Sequence, residues 1–211
     1  MSGFFLVLEG AEGAGKSTLA VALAERMRRD GADPVLVREP GGTPVAERIR
    51  GILLDPAHPV EPVSELYLFL AARADLVAKV IRPALAVGRT VLADRFQLST
   101  EAYQCGGRGL PVSLFREANR AATGGLEPDL TLVLDLPTEL GFERIRQSGQ
   151  TLDRIEQAGA AFHARVAAVF REATGPGMVH LDATRPPEQV LRAAWQQIEA
   201  RRLGAHAAGR D

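Results

Sequence analysis

Short, mostly apolar runs punctuate this chain, and the longer stretches between them repeat their apolar residues at helical spacing. The runs are Phe4–Leu8, Pro34–Val37, Thr90–Ala93, Leu130–Leu134 and Met178–Leu181, each followed at once by charged or small polar residues. Runs this short fit strands covered on both faces, as in a parallel sheet. The amphipathic stretches predict helices over Lys16–Arg29, Pro44–Leu54, Val63–Ala86, Val112–Ala122, Thr138–Gln147, Leu152–Ala173 and Pro187–Leu203. Gly31, Gly51, Gly88 and Gly204 fall at or near the expected helix ends, where glycine is favoured. Strand and helix in alternation predict an α/β fold of three layers, a five-stranded parallel sheet flanked by helices. A length of 211 residues supports one well-buried core and falls short of two, so a single domain over 1–211 is expected. No internal repeat or low-complexity linker interrupts it, and the tail GAHAAGRD, Gly204 to Asp211, is expected to fray.

In an open parallel sheet, ligands bind beyond the carboxyl ends of the strands. The polar residues that follow the runs should therefore converge: Glu9 to Ser17, then Arg38-Glu39-Pro40-Gly41-Gly42, Asp94-Arg95, Asp135, and Asp182-Ala183-Thr184-Arg185. The first of these, EGAEGAGKST, contains Gly10-x-x-x-x-Gly15-Lys16-Ser17, a phosphate-binding loop between a predicted strand and a predicted helix. Glycines 10, 13 and 15 let the backbone curl so that N–H groups of Gly10, Ala11, Glu12, Gly13, Ala14, Gly15, Lys16, Ser17 and Thr18 can face an anion at the positive end of the following helix. Lys16 should reach the outer phosphates, and the Ser17 hydroxyl should bind the Mg²⁺ that accompanies ATP. Glu12 is the anomaly, a carboxylate in the middle of a phosphate cradle.

Composition narrows the partners. With 25 Lys+Arg against 26 Asp+Glu, the formal net charge is -1, so nothing suggests a nucleic acid held along a broad basic face. The single cysteine, Cys105, leaves no intrachain disulfide and suits a reducing compartment. The segment MSGFFLVLEG lacks a basic n-region and reads as a strand rather than a signal peptide. No apolar run approaches the roughly 20 residues that span a bilayer. A cytoplasmic protein with no membrane partner is expected.

The loop alone does not choose among switches, motors and kinases. The Asn/Thr-Lys-x-Asp tetrad of guanine-specific switches is missing, and neither TVLAD nor LTLVLD is followed by the glutamate of motor ATPases. Asp94 is followed instead by Arg95. Bringing two polyanions together for phosphoryl transfer requires several cations on short loops, and Arg38, Arg73, Arg95, Arg144 and Arg146 are available.

The motifs EGAEGAGKST, REPGGTPVAERIR (38–50), LFLAAR (68–73), ADRFQLSTEAYQCGGRG (93–109), EPDLTLVLD (127–135) and LDRIEQ (152–157) together resemble bacterial thymidylate kinases, in order and spacing, over nearly the whole chain. The resemblance implies the P-loop kinase fold with a short lid at about 141–154, ATP and dTMP as substrates, Mg²⁺ as cofactor, and a homodimer. It implies that Arg95 grips the acceptor phosphate while Asp94 orients it and helps place Mg²⁺ with Ser17. Phe69 would stack on thymine, Arg73 would donate to the base O4, and Thr100 would meet the N3 edge. Tyr103 would lie against the sugar C2′, Glu12 would accept from the 3′-hydroxyl, and Arg38 and Gln104 would complete the acceptor site. Lys16, Arg95, Arg144 and Arg146 would be catalytic, with Arg38 or Arg154 standing behind the two lid arginines, and Arg185 would lie near adenine. The lid departs from the family where it reads Gln147-Ser148-Gly149-Gln150 in place of further basic residues. A kinase of the same fold acting on another nucleoside monophosphate or a deoxynucleoside, and an ATP-sensing module, are the alternatives.

Overall fold

The computed structural model describes residues 3–149 and 152–208. Strands β1 (Phe4–Glu9), β2 (Val35–Arg38), β3 (Thr90–Asp94), β4 (Leu130–Asp135) and β5 (Met178–Asp182) form one sheet in the order β2-β3-β1-β4-β5. Every pairing is parallel, and Leu6 of β1 lies opposite both Leu92 and Leu130. Each strand runs one residue past its predicted end, to Glu9, Arg38, Asp94, Asp135 and Asp182. The ladder thus carries a polar residue at each carboxyl end, so side chains at the site start from rigid backbone.

Helices α1 (Lys16–Arg29), α2 (Pro44–Leu54), α3 (Pro62–Leu76), α4 (Arg82–Ala86), α5 (Gln97–Thr100), α6 (Val112–Thr123), α7 (Thr138–Ser148), α8 (Ala160–Glu172) and α9 (Pro187–Ala208) fill the connections. Alternate residues of β1 point to opposite layers. Leu6 and Leu8 pack with Leu19 and Leu23 of α1 and Trp195 and Ile198 of α9. Phe5 and Val7 pack with Leu76, Val77, Ile81 and Phe96 on the other face. A third cluster, Tyr103, Val133, Phe162, Val166 and Phe170, lies on α8 and its neighbours.

The helices depart from expectation in four places. Between α3 and α4 the chain widens into a π turn, Val77–Ile81, where Arg82 N–H bonds to Val77 O five residues back. Pro83 explains it, since proline donates no hydrogen bond and its ring crowds the carbonyl of the preceding turn. An unpredicted helix, α5, continues as a π turn over Glu101–Gly107; it is held from outside by Glu9, described below. The helix expected over Leu152–Ala173 begins only at Ala160, because Gly159 takes φ +85° and Asp153 and Glu156 cap a separate turn. Finally, α9 runs through Gly204 to Ala208 instead of fraying at Gly204. Residues 209–211 of the expected tail, and Gln150 and Thr151 of the expected lid, lie outside the described residues. Among the described residues, no helix is long and apolar enough to cross a membrane.

Candidate functional site

The strand ends open onto a cavity of about 940 Å³, within the range of small-molecule sites. One wall is the loop after β1. Gly10, Gly13 and Gly15 have φ of +138°, +71° and +88°, the freedom that only glycine has at no cost. Gly13 also has no room for a side chain: a Cβ there would stand 2.3 Å from Gly141 O in α7, and one at Gly141 would stand 2.3 Å from Glu12 O. The phosphate loop and α7 therefore meet backbone to backbone.

Lys16, the first residue of α1, folds back to donate to Gly10 O at 3.0 Å and Ala11 O at 2.8 Å. Gly10 and Ala11 lie behind the cavity wall, while Glu12, Gly13, Ala14, Gly15, Lys16, Ser17 and Thr18 line it. Burial, reinforced by the Arg95 charge, pushes the Lys16 ammonium down to about 8. Ser17 Oγ donates to Asp94 Oδ2 at 2.5 Å. A hydroxyl and a carboxylate oxygen side by side at the mouth of a phosphate loop are the hard donors Mg²⁺ takes, with phosphates and water completing its shell. Among the described residues, no cluster of three or more His, Cys, Asp or Glu forms a metal cage.

Arg95 adopts φ +74°, in the left-handed region that few non-glycine residues enter. Its N–H bonds to Leu8 O at 2.9 Å. The guanidinium donates to Gly10 O, Ser99 Oγ and Glu12 Oε1 at 3.1, 3.0 and 2.8 Å, and lies 5.1 Å from the centre of the Tyr103 ring. Glu12 resolves its own anomaly. Its side chain is 22% exposed and turns away from the cradle, with Oε1 accepting from Arg95 and, at 2.8 Å, from the Tyr103 hydroxyl. Burial alone would raise this carboxyl, but the Arg95 and Lys16 charges and the tyrosine outweigh it and hold it at about 2. The Tyr103 hydroxyl, buried beside that carboxylate, is raised well above its usual value.

Beyond Arg95 the cavity reaches Phe69 and Arg73, one turn apart on α3 and both on its wall. Arg73 is only 1% exposed. It donates from Nε to Glu39 at 2.8 Å, from Nη1 to Asn119 at 2.7 Å, and from Nη2 to Phe96 O at 3.0 Å and Thr100 Oγ1 at 2.8 Å. Four of five N–H groups are thereby committed to protein, leaving one on Nη1 for a ligand. The Thr100 hydroxyl serves Arg73 rather than capping a helix. Gln104 lines the cavity with its amide already donating to Glu65. Arg38 lines it from an exposed position, paired with Glu47 at 3.3 Å.

The lid arginines separate. Arg144 reaches from α7 to Gly13 O at 3.3 Å and Ala183 O at 3.1 Å, on the cavity wall. Arg146 is exposed and off that wall, because residues two apart on a helix face different sides. Arg185 lines the far end with Pro187, Glu188 and Leu191, held by Asp182 at 3.1 Å.

Three residues lie in stretches that the sequence reading singled out but were given no role there. Glu9 is fully buried, and its carboxylate accepts from Phe96 N, Ser99 N and Ser99 Oγ, fixing the turn that presents Arg95; burial raises its carboxyl. Glu39 fixes Arg73, and its Oε1 is buried without a hydrogen-bond partner. Arg50, on α2, bonds to Pro40 O at 3.0 Å and lines the cavity near Arg38 and Arg95. Arg50 was legible in part, three residues after Glu47 on a helix that follows Arg38; the two glutamates were not.

Comparison with known proteins agrees with this geometry. A family model described as thymidylate kinase matches residues 8–194. A thymidylate kinase of Deinococcus radiodurans is 46% identical over 202 residues, covering 94% of this chain and 98% of that protein. One from Pseudomonas fluorescens is 51% identical over 197 residues, covering 92% of this chain and 93% of its own.

Proposed function

Because the chain belongs to the thymidylate kinase family, we propose that it transfers the γ-phosphate of ATP to dTMP, giving ADP and dTDP for dTTP synthesis. The observation that carries the reading is a single cavity in which the phosphate loop and the Phe69–Arg73 pocket meet across Glu12, Arg95 and Tyr103.

The division of labour follows from position. Backbone N–H groups of 12–18 and the start of α1 hold the donor phosphates, and Lys16 leaves its carbonyl partners to neutralise the outer ones. Ser17 and Asp94 would hold Mg²⁺, which supplies charge neutralisation between donor phosphates when bound. Phe69 stacks on the base, the remaining Arg73 donor and Thr100 read its edge, and Arg38, Arg50 and Arg95 take the acceptor phosphate. Guanidinium forks match phosphate oxygens in pairs. Glu12 reads the sugar 3′-hydroxyl, and Tyr103 occupies the space a 2′-hydroxyl would need. Arg144 meets the transferring group, and the lid keeps water out of the transfer. The chain's own residues thus position two polyanions and offset their charge, which is most of what such a reaction requires.

The same reading assigns a cytoplasmic enzyme that handles nucleotides, not nucleic acid, and acts as a homodimer. Val45 and Ile52 on α2 and Val63 and Tyr67 on α3 are large apolar side chains left 46–52% exposed on adjoining helices, the kind of patch that marks an interface. Sedimentation of the wild type and of Tyr67→Asp tests this: a dimer converted to monomer supports it, and a monomeric wild type refutes it.

The activity is tested with purified protein, ATP and Mg²⁺ against dTMP, dUMP, dCMP and thymidine, following dTDP by chromatography. dTMP should be the best acceptor. Preference for thymidine would make the chain a nucleoside kinase, and no product with any acceptor would leave an ATP-binding module.

A further inference from the structure

Glu65, in the first turn of α3, is completely buried and does not itself line the cavity. Three side chains from two other segments converge on its carboxylate. Gln104 Nε2 and Arg108 Nε donate to Oε1 at 2.9 and 3.1 Å, and Arg108 Nη2 donates to Oε2 at 3.1 Å. Arg154 Nη2 then stands 2.6 Å from Oε2, a charge contact in which the N–H is not aligned, so this buried nitrogen has no directed hydrogen bond.

Burying a carboxylate is costly unless it is paired, and Arg108 with Gln104 already provides the charge and three directed bonds. Arg154 is surplus to that requirement. What it adds is a connection. Its main-chain N–H bonds to Leu54 O at 3.2 Å and its Nε to Leu53 O at 2.9 Å, the last two residues of α2. The cationic group thus also sits at the negative end of that helix. Its neighbours form a stiff turn: Asp153 Oδ1 accepts from Ile155 N and Glu156 N, and Glu156 Oε2 in turn accepts from Asp153 N. Asp153, Ile155 and Glu156 all line the cavity, and Arg154 does not.

We propose that Arg154 and Glu65 form a latch that fixes the lid's return segment to the acceptor pocket, so that Arg154 serves phosphoryl transfer as a positioning residue without meeting either substrate. The inference rests on the kinase reading above. One carboxylate on α3 ties together the helix carrying Phe69 and Arg73, the turn carrying Tyr103 and Gln104, and, through Arg154, the end of α2 that carries Arg50. It also removes Arg154 from the candidates for direct contact with the transferring phosphate.

The test compares Arg154→Met with Arg108→Met, since each removes one guanidinium from Glu65 but only the first frees the lid. Turnover, dTMP affinity by calorimetry, melting temperature, and the ratio of ADP to dTDP produced are measured for both and for Arg154→Lys. Arg154→Met should lose about tenfold to a hundredfold in kcat, the scale of a small misplacement at a reacting centre, with dTMP affinity nearly unchanged and more ADP than dTDP as water enters. Arg108→Met should lose melting temperature while keeping kcat and an ADP to dTDP ratio of one to one. Arg154→Lys, which keeps the charge but cannot span both Leu53 O and Glu65, should fold and fall between, and it carries the test if the methionine variant does not fold. Equal kcat in all variants, or losses that follow melting temperature alone, would overturn the latch. A wild type that makes no dTDP would instead overturn the kinase reading.

Discussion

Replacing Glu12 with Gln tests how the acceptor sugar is read. In the structure Glu12 Oε1 is occupied by two donors, Arg95 and Tyr103, so the 3′-hydroxyl must be met by Oε2. Glutamine keeps the shape and, with its carbonyl toward the two donors, presents an amide N–H₂ where Oε2 stood. A hydrogen bond to a charged acceptor is worth about 1.5–3 kcal/mol, and a neutral one about 0.5–1.5 kcal/mol. Wild type should therefore lose roughly ten- to a hundredfold in kcat/KM when dTMP is exchanged for its 3′-deoxy analogue, and Glu12→Gln only about two- to tenfold. Held at about 2 against an ordinary 4.5, the ionised carboxylate is favoured in its place by ~3 kcal/mol, so the substitution also weakens the grip on Arg95. That damage is common to both acceptors and cancels in the ratio. The assay is initial-rate phosphoryl transfer with four combinations of enzyme and acceptor. Equal discrimination by the two proteins would mean that Glu12 serves Arg95 and Tyr103 alone and does not touch the sugar.

Arg144→Ala should lower kcat by about 10³-fold or more, as loss of a transition-state arginine does, with a smaller change in KM, whereas Arg146→Ala should stay near wild type; the reverse order in steady-state kinetics would mean the lid rotates on closure. Tyr103→Ala should narrow the preference for dTMP over its ribonucleotide counterpart, and Tyr103→Phe, which keeps the ring, should not; competition assays decide, and unchanged selectivity in the alanine variant rules out steric exclusion. Lys16, lowered to about 8, carries its charge below that pH and loses it above, so kcat/KM for ATP, which reports the free enzyme, should fall as pH rises through about 8. Turnover at saturating ATP should hold to higher pH because bound phosphates retain the proton, and coincident pH profiles would remove Lys16 from the assignment.

The inner strands β1, β3 and β4 were legible because strands buried on both faces leave little room for polar residues, and the apolar runs end where the sheet meets solvent. The phosphate loop was legible for a similar reason, its glycines being required by backbone conformation alone. The buried carboxylates were not. A glutamate is read as a surface residue by default, and nothing local marks Glu9, Glu39 or Glu65 as the groups that hold Arg95, Arg73 and Arg154. Their roles exist only once segments 34 to 90 residues apart are brought together. The helix over Gln97–Thr100 was invisible on the same account, since Ser99 is held there by Glu9 from across the sheet. Conversely, the periodic stretch from Leu152 read as helix because periodicity cannot see a reciprocal cap and a left-handed glycine intervening before Ala160.

The backbone contact between Gly13 and Gly141 has a bearing on how freely this sequence can drift. At most packed positions an enlarged residue can be accommodated by a smaller neighbour, so that pairs of changes remain open. Here the atoms in the way are main-chain oxygens of Gly141 and Glu12, which no exchange of side chains can shrink. Neither position can compensate the other. Gly149, at the far end of the same helix, has nothing within 4 Å of a would-be Cβ and answers only to its own backbone angle. A library built on this chain should therefore leave 13 and 141 untouched, keep glycine at 149 for its backbone angle, and spend its diversity on exposed positions of the helix such as 147.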